Sequence, residues 1–319
     1  MKKVLIAILL LGLLPHASAD YIHWVDFRLS APVLRSALEL DMASQGGEQP
    51  LDWIDILALA AAWRGGTGVT VADTQRAAQA LRGDTPPERL PGMAGRCFSY
   101  YRAAYGAALG GLVGHFAIRR TDPQTGEAEW IPAYGLKAFS PIAAGYPWSH
   151  YPDFGAQRSY GYARPHLGND ILGALGTPIC AVEGGTVEAL GWNRYGGWRI
   201  GIRSDDRKRY YYYAHLRKDT PYAEGLAVGQ RVQAGEVIGF MGRTGYSAQE
   251  NVNNIERVHL HFGLQLIFDE SQKECDSEIW IDVYPIIELL ASHCSSVARD
   301  PQTGRWERLY PYCDLDAEP

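Results

Sequence analysis

The residues best suited to chemistry in this chain are the two histidines of His259-Leu260-His261. Side chains two apart on an extended strand point to the same face, so this segment would present two imidazoles side by side. Upstream, His166-Leu167-Gly168-Asn169-Asp170 offers a third imidazole and a carboxylate. The Gly-Asn pair disfavours a helix there, which leaves His166 in a loop and Asp170 at the start of the apolar run 170–175. Imidazole nitrogen and carboxylate oxygen both ligate zinc. Three protein ligands with a fourth position open to water form a catalytic site, whereas four closed ligands form a structural one. His215, in Tyr213-Ala214-His215-Leu216, supplies one imidazole more than ligation needs. A lone histidine is more often a hydrogen-bonded core residue than a ligand; five positions of these types in this order argue for a metal.

Taken in order, H-x-G-x-D, Y-A-H-L and H-L-H-F-G resemble the motifs of the lysostaphin-type zinc metalloendopeptidases of bacterial cell walls, over roughly residues 150–268. The resemblance implies zinc ligands His166, Asp170 and His261, one Zn2+ per chain, and catalytic roles for His215 and His259. It also implies a β-sandwich hybrid with the metal in a groove across its main sheet. The substrate would be peptidoglycan peptides, cut in the stem or the cross-bridge. Two features depart from the family pattern: a polar insertion at 248–257 ahead of the histidine pair, and an N-terminal region that matches no wall-binding module. Some relatives are held inactive by an N-terminal asparagine on zinc, but residues 20–165 contain no asparagine. The N-terminal region is therefore expected to position substrate or partners, or to block the groove sterically; Cys97 is its one alternative thiolate ligand.

Two other readings compete. A zinc D,D-type peptidase also uses His, Asp and a terminal His pair, but usually with a longer His-to-Asp gap and a nearby catalytic Glu. A catalytically weak or inactive regulator of another cell-wall hydrolase would be expected to have lost ligands, and all five positions are kept here.

In a zinc peptidase, an imidazole beside the metal takes a proton from the attacking water or stabilises the developing oxyanion. His215 and His259 are the candidates, and which of them is the base stays open. Alternation along Tyr210-Tyr211-Tyr212-Tyr213-Ala214-His215 puts Tyr211 and Tyr213 on the His215 face, where they would line a substrate groove. Asn193, Arg194 and Trp198, on a glycine-flanked loop, are possible rim residues. Asn251, Asn253 and Asn254 of the insertion offer amide donors and acceptors to a peptide backbone.

The elements that must position these residues divide the chain. Lys2 and Lys3, an apolar run from Val4 to Leu14 and Ala17-Ser18-Ala19 form a secretory signal peptide over residues 1–19, too short in its apolar part to span a bilayer. The mature chain would begin at Asp20 in the periplasm, extracellular space or cell wall, with no transmembrane segment. Residues 20–114 read as an α-helical domain with helices over 31–43, 51–64, 71–82 and 95–111, Ser30 as an N-cap, and Gly65-Gly66 and Gly83 as stops. Residues 115–145 hold a hairpin around Asp122-Pro123-Gln124-Thr125-Gly126 and a linker.

Residues 146–268, with short strands at 177–182, 186–190, 198–203, 210–216, 236–241 and 259–267, read as an antiparallel sheet. A helix over 281–290 and a tail close the chain at 269–319. The class is therefore α+β. The net charge of −6 argues against nucleic acid as a partner. Five cysteines in an exported protein permit disulfides. A staple among Cys275, Cys294 and Cys313 is plausible, and Cys180 reads as a buried structural thiol.

Overall fold

A computed structural model describes residues 21–122, 124–273 and 277–317; the signal-peptide segment and Cys275 lie outside the described residues. Helix α1 (Ala31–Ser44) begins after Ser30, which occupies the N-cap position without a side-chain bond. In α2 (Trp53–Arg64) the Asp52 side chain accepts from Ile54 N, so the helix starts two residues later than the apolar pattern predicts. Gly65, at φ 62°, ends it in the left-handed conformation that glycine adopts without strain. A Thr70–Asp73 capping box starts α3 (Val71–Leu81), which Arg82 rather than Gly83 caps. The predicted helix 95–111 is α4 (Met93–Leu109).

Helix α2 is apolar on all sides and its residues from Ile56 to Ala62 are fully buried, as expected of a helix enclosed by its neighbours. The hairpin forms from Val113–Thr121 and Ala128–Leu136, and Tyr312–Asp314 pairs with its first strand, so the tail packs back there.

The main sheet is antiparallel and eight-stranded. Its order runs Arg231–Val232, Gly185–Asn193, Gly197–Ser204, Arg209–Ala214, His259–Leu266, Asn169–Leu172 and Ser149–His150, with Ile279–Trp280 also pairing His259–Leu266. Pro178–Cys180 and Val237–Phe240 pair separately as the second layer of a sandwich. The predicted C-terminal helix shortens to α5 (Tyr284–Leu290), with Pro285 in its first turn.

One hydrophobic core runs from Phe27 through the helices to Leu264, Ile287 and Leu290. Its polar seam is Arg209. The guanidinium donates Nε to Glu183 Oε2 at 2.7 Å and its terminal nitrogens to Glu183 Oε1 at 3.0 Å and the Ala107 carbonyl at 2.8 Å. That last acceptor is one of the carbonyls left over at the end of α4, where a cation is favoured. Tyr211 closes the cluster, its hydroxyl donating to Glu183 Oε2 at 2.6 Å.

Candidate active site

Antiparallel register assembles the site. On the sheet, Asp170 stands opposite His261, and His261 also pairs with Ala214, next in sequence to His215. His166 enters from the loop before Asn169–Leu172. The atoms His166 Nε2, Asp170 Oδ1 and His261 Nδ1 lie 2.7–3.2 Å apart. Metal bonds of about 2.0–2.2 Å in a tetrahedron separate ligand atoms by about 3.3 Å, so the three donors need open only slightly to hold zinc. Among the described residues they form the group that could hold a metal ion. Gly168 makes room for it: a Cβ there would lie 2.7 Å from His261 Cε1.

The two other histidines face the same point. His215 donates Nδ1 to the Thr244 carbonyl at 2.9 Å, and His259 donates Nδ1 to the Arg257 carbonyl at 2.9 Å. Both Nε2 atoms are therefore left as acceptors. The two rings are 4.7 Å apart, and His259 Nε2 is 3.7 Å from Asp170 Oδ1. His215 has φ 61°, a backbone conformation that non-glycine residues adopt only where surrounding structure enforces it. Here the enforcing contacts are His215 N to Gly196 O at 2.7 Å and the bond to Thr244.

Charge divides the histidines. Burial opposes protonation of His166, but hydrogen bonds and charge from Asp153 and Asp170 outweigh it and push the group up to about 9. Burial pushes His261 down against the pull of Asp170. Burial, then the neighbouring His259 and His261, hold His215 well below the usual imidazole range. Burial likewise opposes ionisation of Asp170, yet bonds from His166 and His261 keep its carboxyl far below the usual carboxylate range.

Behind the cluster, Asp153 Oδ2 lies 3.2 Å from His166 Nδ1, and Asp153 Oδ1 accepts from Asn169 Nδ2 at 2.8 Å. Arg158 bridges Asp153 and Asp170 at 3.0 and 2.8 Å. A carboxylate on the far nitrogen of a ligating histidine fixes its tautomer and orientation. Neither residue carries a sequence signal, because each reaches the site by the path of an irregular loop.

A groove of about 370 Å³ opens in front, lined by Arg158, Arg164, His166, Asp170, Tyr195, Arg199, Tyr210, Tyr212, His215, Tyr246, His261 and Trp280, among others. Tyr211 and Tyr213 are not in it. They are 1% and 0% exposed; Tyr211 bonds to Glu183 and the Tyr213 hydroxyl accepts from Val182 N at 2.9 Å. Their assignment to the substrate face is corrected: the strand ends at Ala214 and His215 turns through positive φ, so alternation does not carry from Tyr213 to His215. Tyr210 and Tyr212 line the groove instead.

The insertion's asparagines are also used elsewhere. Asn251 Oδ1 accepts from Trp198 Nε1 and Asp219 N at 2.9 Å each, and Asn254 Nδ2 donates to the Tyr246 carbonyl at 2.6 Å. Asn253 is joined to Gly245 by a bridge, its Oδ1 buried without a partner. None of the three lines the groove, whereas Asn193 does. The groove has no lining residue from α1–α4, and α4 meets Arg209 on the opposite face of the sheet, so the expected steric block of the groove by these helices is corrected. Cys97 lies on α4, outside the metal-ligating group. Cys97, Cys180, Cys294 and Cys313 are unpaired, and burial pushes the Cys180 thiol up to about 12.

Residues 164–274 match the model of peptidase family M23. This stretch of the chain, which holds His166, Asp170, His215, His259 and His261, is thus similar to the M23 peptidase domain. It is 35% identical over 177 residues to the L-Ala–D-Glu endopeptidase of Bacillus subtilis, covering 52% of each chain. To the glycyl-glycine endopeptidase ALE-1 of Staphylococcus capitis it is 38% identical over 98 residues, 30% of this chain and 24% of that one. The chain thus spans about half the length of the first relative and about a quarter of the second. A solved structure from Ruminococcus gnavus, described as a candidate glycyl-glycine endopeptidase lytM, is 24% identical with a TM-score of 0.48, covering 84% of this chain and 91% of that one.

Proposed function

We propose that the protein is an exported zinc metalloendopeptidase that hydrolyses peptide bonds of bacterial peptidoglycan. The observation that carries this reading is the convergence of His166 Nε2, Asp170 Oδ1 and His261 Nδ1 at the head of a groove, with the acceptor edges of two further histidines turned toward them. His166, Asp170 and His261 are the ligands we assign to one zinc ion. Zinc, when bound, lowers the pKa of a coordinated water towards neutrality and polarises the scissile carbonyl. His215, neutral and lining the groove, is placed to take a proton at Nε2 and, once protonated, to donate a hydrogen bond to the developing oxyanion or pass the proton to the departing amine; His259 shares this role from the strand end. Asp153 holds the His166 ring, and Arg158 steadies Asp153 and Asp170 together.

The names of the relatives support a cell-wall peptide as substrate, one cleaving L-Ala–D-Glu and another glycyl-glycine bonds. Retention of all five motif positions favours an active enzyme over a degenerate regulator, and the short His166-to-Asp170 spacing sets the chain apart from D,D-type zinc peptidases. We assign residues 1–19 to an export signal; among the described residues no helix is long and apolar enough to cross a membrane. Residues 146–268 are the catalytic portion in this reading. The test is incubation of the zinc-loaded mature chain with isolated sacculi and mass spectrometry of released muropeptides. Release that disappears in His261→Ala and His215→Ala supports the proposal, and sacculi left intact by the unaltered chain refute it.

A further inference from the structure

Four arginine and lysine side chains line the groove, and three of them are occupied. Arg158 is held by Asp153 and Asp170. Lys273 pairs with Glu188 at 2.9 Å. Arg164 donates to the Tyr160 carbonyl at 2.6 Å and lies 4.5 Å over the Tyr195 ring. Arg199 is different. Among the described residues no carboxylate comes within ion-pair distance of it, and its Nε is buried with no hydrogen-bond acceptor.

Its direction is fixed by the sheet. Ile200 and Ile202, on the same strand, are fully buried in the core, so Arg199 projects from the other face, into the groove. The backbone is anchored on both sides: Arg199 pairs with Gly191, and its carbonyl accepts from the Tyr222 hydroxyl at 3.2 Å. A guanidinium is always charged and offers a rigid fork of donors that matches a carboxylate in two parallel bonds. Buried donors without acceptors are rare in folded proteins, because leaving one unmade is costly. The Nε itself is closed off from solvent, so what the groove meets is the rest of a pre-positioned guanidinium that has no carboxylate partner among the described residues, a receptor whose countercharge is not supplied by the chain itself. A neutral amide brings one carbonyl acceptor and no charge; a carboxylate brings two acceptors and a countercharge.

We propose that Arg199 anchors a free carboxylate of the substrate, so that the groove takes an acidic peptide, such as one with a γ-linked glutamyl residue bearing its α-carboxylate, in preference to a neutral oligoglycine. The inference rests on the endopeptidase reading for the meaning of the groove, but it can be tested without turnover.

Calorimetric titration of the full metal-free chain with two synthetic peptides, identical except for a glutamyl α-carboxylate or its carboxamide, reads the anchor directly. The carboxylate form should bind about tenfold or more tightly than the carboxamide, as one added charge-assisted pair would give. Arg199→Gln should reduce that ratio to near one, and Arg199→Lys should keep part of it. Equal binding of the two peptides by the unaltered chain, binding of neither, or an undiminished ratio in Arg199→Gln overturns the proposal. The unaltered chain's own discrimination decides the matter even where a variant fails to fold. Zinc-loaded chain that binds the acidic peptide yet cleaves neither peptide nor sacculi would refute the hydrolase reading and leave the anchor standing.

Discussion

Two polar clusters sit on opposite faces of the same strands, and they are built on opposite terms. On the helix side, Arg209, Glu183, Tyr211 and the end of α4 satisfy one another almost completely: both oxygens of Glu183 and three nitrogens of Arg209 are engaged. On the groove side, three ligand-type atoms crowd within 3.2 Å while two further imidazoles keep acceptor edges turned inward. The first is a closed network that spends its charges on holding the fold. The second brings three ligand-type atoms and two further imidazole edges to one point, more lone pairs than its own protons can pair, which is what a site for an electrophile or a metal requires. Polar burial alone does not distinguish the two; the balance of donors and acceptors does.

The sharpest way to break the comparison is to remove one member of each cluster. His261→Ala should drop zinc from about one ion per chain to near none by elemental analysis, with hydrolysis lost by three orders of magnitude or more and the fold retained. His215→Ala should keep zinc and lose about 10²–10⁴-fold in kcat/KM, the range expected for a missing acid–base group; full activity in this variant would remove His215 from the chemistry. On the closed side, Glu183→Gln leaves Arg209 buried against a weaker partner and should cost about 3–5 kcal/mol by urea denaturation, while zinc content of the folded protein stays unchanged.

The pH dependence separates the clusters as well. His166, with its pKa up at about 9, carries a proton at neutral pH in the metal-free chain, and only the neutral ring can ligate. Apparent zinc affinity should therefore rise about tenfold per pH unit up to about 9, with close to one proton released per ion bound. Uptake independent of pH between 6 and 8 would contradict that assignment. The smallest effect is expected from Tyr211→Phe, which loses one buried bond to Glu183: about 1–2 kcal/mol of stability and no change in KM.

Much of the site was legible because its donors sit in short segments whose spacing has direct geometric meaning. His259 and His261 share a strand, and the Gly168-Asn169 pair marks the absence of a helix between His166 and Asp170. The tyrosines were misread for one local reason: strand alternation holds only while the backbone stays extended, and the chain leaves that state at His215. Asp153, Arg158 and Arg199 were invisible for a different reason, since loop path and strand pairing bring them to the groove from positions without any fixed spacing to the histidines. The asparagine-rich insertion looks like a binding loop by composition, but the amides of Asn251 and Asn254 are spent on Trp198, Asp219 and Tyr246. Helix starts were readable to within two residues wherever a capping side chain was present, as at Asp52 and Thr70.

The bond from Arg209 to the last turn of α4 also has a consequence for how the chain can be handled. A fragment beginning near residue 146 would keep every histidine of the site, but it would uncover the buried cluster of Arg209, Glu183 and Tyr211 and strip Arg209 of its helical carbonyls. Helices and sheet should therefore melt in a single cooperative transition, and the peptidase portion should not behave as a transplantable cassette: excised, it is expected to be insoluble, even with all its ligands in place.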